Sequence, residues 1–284
     1  MAIELSGKPI LITGASSGIG EASAIECARA GMPVVVAARR ADRLSGLVNR
    51  IRAAGGKAIA VPLDVCDVDA CAAAVQTCHR EFGSVYSVFA NAGYGAEVPA
   101  HEMSDAQVRE MFETNFYGSL NVIRPALPHM FDAGAGHVLI CASCLARCPI
   151  PLMSIYGATK AAQHHLSWAM RHELGPRGVH VSCVMPVSTR TEFSEQAAAA
   201  SQTSSGPSRP ALDPHMPRWM LQSPVKVARA VVRCLRRPKA EVWTSVPTRL
   251  GMAISAAFPV LADIGMRSMF RKRMHTANAP AGVR

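Results

Sequence analysis

Seven short apolar runs, each closed by turn residues and set apart by longer stretches, constrain this chain more than any other feature. The runs are Pro9–Thr13, Pro33–Ala37, Ala58–Leu63, Val85–Ala90, Gly136–Ala142, His180–Val184 and Glu241–Ser245. They are apolar or β-branched on both faces, as expected of strands covered by helices on each side of a parallel sheet. Between them, Ile19–Ala30, Arg43–Ala54 and Val68–Phe82 have the length of crossover helices. This alternation predicts an α/β fold: a doubly wound, seven-stranded parallel sheet with right-handed crossovers and helices on both faces. At 49% hydrophobic and 18% charged residues, the 284-residue chain has ample material for a core, and disorder is excluded as its dominant state.

One stretch breaks the rhythm. Ser194 to Pro217 is rich in Ala, Ser and Pro and reads as a mobile segment inserted after the sixth strand, either a lid over a site or a plain loop. The predicted organisation is therefore one catalytic domain over residues 1–247, with 194–217 as its lid, and a C-terminal extension over 248–284.

Charge is unevenly placed. The net charge is +10, yet residues 1–203 carry 16 Lys and Arg against 17 Asp and Glu, while residues 204–284 carry 14 against 3. The basicity belongs to the end of the chain, and no base-reading motif or aromatic platform accompanies it, so nucleic acid is not expected as a partner. Nine cysteines scattered among Ala and Val do not form a disulfide framework. The spacing of Cys141, Cys144 and Cys148 lacks a second ligand pair, and no metal is expected. The chain opens Met-Ala-Ile-Glu-Leu-Ser and reaches its first strand by Pro9, which predicts a cytoplasmic, reducing setting.

The loop Thr13-Gly14-Ala15-Ser16-Ser17-Gly18-Ile19-Gly20 joins the first strand to the first helix. Gly14 permits the tight exit from the strand, Gly18 lets backbone approach a pyrophosphate, and Gly20 lets helix pack on strand. The helix N-terminus supplies free N–H groups and positive dipole. A turn without a ligand is the bland alternative. The end of the second strand reads Val36-Ala37-Ala38-Arg39-Arg40. An acid there would bind a ribose 2′-hydroxyl and repel a 2′-phosphate; two guanidinium groups do the opposite. NADP(H) is the cofactor this predicts, with Arg39 the main clamp, Arg40 beside it, and Asp64 and Val65 near the adenine.

Tyr156 and Lys160 are four apart on a predicted helix and share one face. A phenol titrates near pH 10, and an ammonium held close favours its phenolate. Such spacing also arises by chance, but it has company. Ser143 ends the fifth strand, Asn91-Ala92-Gly93 closes the fourth, and Asn115 follows in Glu113–Gly118.

On these motifs the chain resembles the short-chain dehydrogenase/reductase family over roughly residues 7–247. The resemblance implies a Rossmann-type fold and a nicotinamide cofactor. Tyr156 would be the general acid/base, Ser143 would orient the substrate oxygen, and Lys160 would bind the ribose and lower the Tyr156 pKa. Asn115 would hold a water relaying protons from Lys160. Cofactor contacts would run through Gly14, Ser16, Ser17, Gly18, Ile19, Gly20, Arg39, Arg40, Asp64, Val65, Asn91, Ala92, Gly93, Tyr156, Lys160, Pro186, Val187, Thr189 and Thr191. Family members usually carry Pro-Gly after the sixth strand, whereas Val187 here adds a branched side chain, and Ala90 replaces the first Asn of the usual Asn-Asn-Ala-Gly.

Ser143, Leu145, Met153, Tyr156 and Phe193 are the candidate substrate contacts, with Tyr94, Cys144, Cys148 and Met185 nearby, in an apolar setting that suits a hydrophobic ketone or alcohol. His164 and His165, adjacent on a helix, face different sides and suit surface or subunit contacts. Two function classes follow: an NADP(H)-dependent oxidoreductase, or a catalytically silent NADP(H)-binding sensor or scaffold, which the intact Asn115, Ser143, Tyr156 and Lys160 disfavour. The resemblance also implies a homodimer or homotetramer. The apolar run at Leu250–Met266, broken by Pro259 and Asp263 and followed by Arg267, Arg271, Lys272 and Arg273, is short for a bilayer span of ~20 residues. Residues 250–273 therefore read as a lid or subunit-contact helix, a peripheral membrane contact, or a frayed tail.

Overall fold

The computed structural model describes residues 2–193, 197, 201–203, 206–207 and 221–267. All seven expected strands form: β1 (Ile10–Thr13), β2 (Val34–Ala38), β3 (Ala58–Pro62), β4 (Ser87–Ala90), β5 (Gly136–Cys141), β6 (Val179–Met185) and β7 (Glu241–Trp243). They join in the order β3-β2-β1-β4-β5-β6-β7, with every pair parallel. The order reverses between β1 and β4, and the carboxyl ends of the strands flanking that switch point define the crevice where ligands bind in such sheets. Outside this sheet, 202–203 pair antiparallel with 206–207. The rest of the expected lid lies outside the described residues, apart from buried Ala197 and Ser201.

The helices cover both faces. They are α1 (Gly18–Arg29), α2 (Ala41–Ala53), α3 (Val68–Phe82), α4 (Asp105–Phe112), α5 (Gly118–Asp132), α6 (Ser154–Leu174), α7 (Pro224–Arg236), α8 (Val246–Ala257) and α9 (Pro259–Arg267). One core lies under α1, α2 and α7 and includes Ile10, Ile12, Val34, Val36, Leu44, Leu47 and Leu235. The other lies under α3 and α5 and includes Leu11, Val35, Val88, Val122, Ile123 and Val138. Alternate residues of β1 and β2 thus go to opposite cores, which is why the strands read as continuous apolar runs. Helix α7 buries Val227, Ala228, Val231, Cys234 and Leu235, an i, i+3/i+4 stripe, and starts on a Ser223 cap.

Elements that place the site depart from plain helix. Glu113–Tyr117, between α4 and α5, is a π-helical turn with Asn115 fully buried in it. Such turns are common where a helix must aim a side chain at a site. No single helix among the described residues is long and apolar enough to cross a membrane; only the pair α8 and α9, bent by 112°, reaches that length together.

Candidate active site

Gly14 and Gly18 both have positive φ, at +64° and +59°. A Cβ on Gly14 would lie 2.8 Å from the Ala92 Cα, and one on Gly18 would lie 2.9 Å from the Thr191 methyl. Helix α1 begins after Ser17, which makes no side-chain capping bond, so its first N–H groups stay available to an anion. This cradle fits a dinucleotide pyrophosphate. Thr13 and Asn91 hold it shut from below: Asn91 and Ala92 N–H groups donate to Thr13 Oγ1 at 3.0 and 3.1 Å, and Asn91 Nδ2 donates to the Thr13 carbonyl at 3.0 Å. Asn91 therefore ties β4 to β1.

The two arginines after β2 behave differently. Arg39 is exposed and forms no hydrogen bond or ion pair among the described residues. Arg40 donates to Ser16 Oγ (3.1 and 3.0 Å) and Ser17 Oγ (3.0 Å), and pairs with Glu192 at 2.8 Å. Glu192 also meets Arg43, and these two guanidinium groups hold its carboxyl below the usual carboxylate range. Exposed Asp64 accepts from the Cys66 N–H at 3.0 Å, whereas the Val65 carbonyl is occupied by Asn121 Nδ2 at 2.9 Å.

Helix α6 carries Tyr156 and Lys160 on one buried face. Ser143, at the end of β5, is buried close enough to Tyr156 to favour its phenolate, and its Oγ accepts from the Leu145 N–H at 3.2 Å. Lys160 Nζ lies 5.6 Å from the Tyr156 ring centroid and donates to the Cys141 carbonyl and to Gln163 Oε1, each at 2.8 Å. Burial pushes the Lys160 amine down from 10.5 and the Tyr156 phenol well above 10; the Cys141 and Cys144 thiols push the phenol up further, while Ser143 opposes them. Among the protein groups burial is the largest influence on the phenol, and Lys160 is not one of those that shift it. Asn115 locks its side chain to the Tyr94 N–H and C=O and to Thr159 Oγ1, all at 2.9 Å.

The substrate side is apolar. Met153, Tyr156, Ala96, Val98, Met103 and Met111 form one buried cluster, with Tyr94, Leu145 and Phe193 packed against it. Phe193 stands 5.3 Å from the Tyr156 ring, tilted by 55°. Met185 is not part of this wall. It is fully buried in a separate small cluster with Ala142 and Cys183, against which Ala146 and Trp243 pack. Pro186 accepts from the Cys144 N–H, and the Val187 carbonyl from Thr189 Oγ1 and Gln222 Nε2. These bonds fix the path after β6 at Pro186-Val187. The stretch then lays Thr191 over Gly18, Glu192 on Arg40 and Phe193 on Tyr156.

Sequence reasoning missed Gln163 and Glu192. Gln163 sits at i+3 from Lys160 and i+7 from Tyr156, so helical spacing alone would have put it on their face. Glu192 finds its arginines 152 and 149 residues away, and no local pattern announces that. His164 contacts Glu241 at 2.7 Å and His165 is exposed. Among the described residues no group of three or more His, Cys, Asp or Glu is placed to hold a metal ion.

Comparison with known proteins gives the family. A family model described as short chain dehydrogenase matches residues 8–202. The chain belongs to that oxidoreductase family. It is 31% identical to the ketoacyl reductase HetN of a Nostoc species over 266 residues, covering 91% of this chain and 88% of that protein. A short-chain dehydrogenase/reductase from Burkholderia phymatum, solved in complex with NAD, superposes with a TM-score of 0.82 at 26% identity, covering 91% of this chain and 96% of that one. A 7α-hydroxysteroid dehydrogenase complexed with NADH and 7-oxo glycochenodeoxycholic acid gives a TM-score of 0.73 at 28% identity, covering 82% and 89%.

Proposed function

We propose that the protein is an NADP(H)-dependent oxidoreductase that interconverts a ketone or aldehyde and an alcohol on a hydrophobic small molecule. The observation that carries this reading is the meeting of Ser143, Tyr156 and Lys160 at the wall of an apolar cluster, beside a glycine cradle. When bound in that cradle, the nicotinamide cofactor supplies or accepts the hydride, and its oxidised ring adds positive charge that favours the phenolate. Ser143 orients the substrate oxygen, and Tyr156 gives it a proton in reduction or takes one in oxidation. Because burial keeps the phenol protonated, Tyr156 is an acid over the whole neutral range. Oxidation needs its phenolate and should quicken as pH rises.

NADP(H) over NAD(H) rests on Arg39 at the end of β2, which is exposed and unpaired among the described residues. The two solved neighbours carry NAD or NADH in their complexes, which makes the comparison of cofactors a direct test of this chain's own residues. An apolar substrate is supported by Met153, Leu145 and Phe193 around Tyr156, and the neighbours' ketoacyl and steroid chemistry points the same way. We place the protein in the cytoplasm as a homodimer or homotetramer, with α8 and α9 resting on a membrane surface. Tyr156→Phe should lower NADPH-dependent reduction of any accepted ketone at least about 100-fold while NADPH binding stays measurable. Unchanged turnover would overturn the acid–base role, and no turnover by the parent on a broad ketone and alcohol panel would favour a cofactor-binding sensor.

A further inference from the structure

Gln163 is fully buried on α6, one turn beyond Lys160. Its amide makes three short hydrogen bonds: Oε1 accepts from Lys160 Nζ at 2.8 Å, and Nε2 donates to the Asn115 carbonyl at 2.6 Å and to Ser119 Oγ at 2.7 Å. Its orientation is dictated by its neighbours. An ammonium only donates, so it requires the amide oxygen, and a carbonyl only accepts, so it requires the amide nitrogen. Ser119 spends its own proton on the Asn115 carbonyl at 2.8 Å, leaving its lone pair to Gln163.

The consequence falls on Asn115. Its carbonyl oxygen has two lone pairs, and Ser119 and Gln163 take both. The side chain of Asn115 is itself taken up by Tyr94 and Thr159, so a water held by Asn115, as the resemblance implies, finds no lone pair left at this carbonyl. We infer that Gln163 occupies the place of that water and is the positioning residue of Lys160, holding its ammonium charged and aimed while closing the direct step from Lys160 to Asn115. The amide holds the ammonium as a water would, but it does not exchange protons as a water does. The titratable groups facing Lys160 are the Cys141 thiol on β5, the Cys183 thiol on β6 and Tyr156 on its own helix; among the described residues none is a carboxylate. Gln163 and the Cys141 carbonyl are therefore the groups that offset burial of this charge.

The inference builds on the proposed function, but its test does not depend on turnover. The chain has six lysines. The Lys160 signal can be identified in spectra of the full-length protein carrying isotope-labelled lysine by its loss in Lys160→Arg, and followed against pH. Gln163→Met fills the space without an acceptor. It should lower the Lys160 midpoint by about one to two pH units, since a hydrogen bond to a charged group is worth about 1.5–3 kcal/mol. Gln163→Ala leaves room for water, which can bridge Lys160 to Asn115, and its midpoint should stay near that of the parent. Packing alone predicts the reverse ranking, because Ala leaves the larger cavity. Should the Met variant not fold, Gln163→Glu should raise the midpoint by placing a carboxylate on the ammonium. A Met variant matching the parent, or a Glu variant without a rise, would overturn the inference. In alcohol oxidation, the rising limb of the Met variant's pH profile should move to higher pH. A parent without turnover would count against the proposed function and leave the lysine result standing.

Discussion

On the proposed reading, Arg39 and Glu192 bring opposite charges to the same cofactor. Arg39 has no hydrogen bond or ion pair among the described residues, and on the proposed reading it meets the 2′-phosphate, where a charge-assisted contact is worth about 1.5–3 kcal/mol. Arg39→Ala should weaken NADPH binding about 10- to 100-fold and leave NADH nearly unchanged, as read by fluorescence titration. Equal affinities for the two cofactors in the parent would remove the basis for NADP(H). Glu192 neutralises Arg40 and Arg43 and stays ionised well below neutrality, because those guanidinium groups hold its carboxyl low. Glu192→Gln should therefore strengthen NADPH binding relative to NADH. At this scale the sequence was readable wherever chemistry and spacing coincide: Ser143, Tyr156, Lys160 and the cradle glycines meet at one crevice. It was silent on Glu192, whose partners lie on a different strand end, and on the saturated carbonyl of Asn115, which only the π-helical turn and Gln163 together produce.

The edge of the sheet shows how one element is pinned. Strand β7 has three residues, and its first, Glu241, accepts hydrogen bonds from Arg147, His164 and Trp168 at one oxygen and from Trp243 at the other, at 2.6 Å. Burial alone would push this carboxyl up, but the bonds from His164 and Trp243, with Arg147 and Trp168, hold it at about 2 against an ordinary 4.5. A depressed carboxyl stabilises the fold above its unfolded pKa and loses that contribution as pH falls through the folded one. The stability advantage of the parent over Glu241→Gln in urea should be full above about pH 4.5 and vanish towards pH 2. An advantage independent of pH would show that shape, not charge, pins β7. Strand positions were legible to within about two residues because burial on both faces leaves a continuous apolar signature. The π-helical turn was not, since its sequence reads as ordinary helix.

For the whole molecule, the asymmetry of charge and apolar surface converges on one end. Helix α8 buries none of its residues, and Val246, Leu250, Ile254, Phe258, Val260, Leu261 and Ile264 along α8 and α9 are all exposed. Arg267 is paired with Asp263 at 2.8 Å, and the sequence continues with Arg271, Lys272 and Arg273. Apolar surface next to cations suits an anionic bilayer surface. The protein should float with vesicles containing phosphatidylserine, detach in high salt, and fail to float once shortened after Pro247. A shortened protein that still floats would move the contact elsewhere, and one that instead changes its sedimentation mass would make α8 and α9 a subunit contact. The strand order and the cofactor end were foreseeable from alternation and the glycine loop. The bent, outward course of α8 and α9 was not, because an apolar run reads alike whether protein or lipid covers it.

The position of β7 in the strand order also sets when the fold becomes safe. During synthesis the sheet grows outward from β1 and β4, and β6 is finished by Met185 while its outer neighbour waits until Glu241. Over that interval β6, seven residues long and apolar at five of them, is a bare edge able to pair with another chain. A chain ending between those points would carry Ser143, Tyr156 and Lys160 together with an uncovered β6 edge, the kind of edge that favours pairing with another chain.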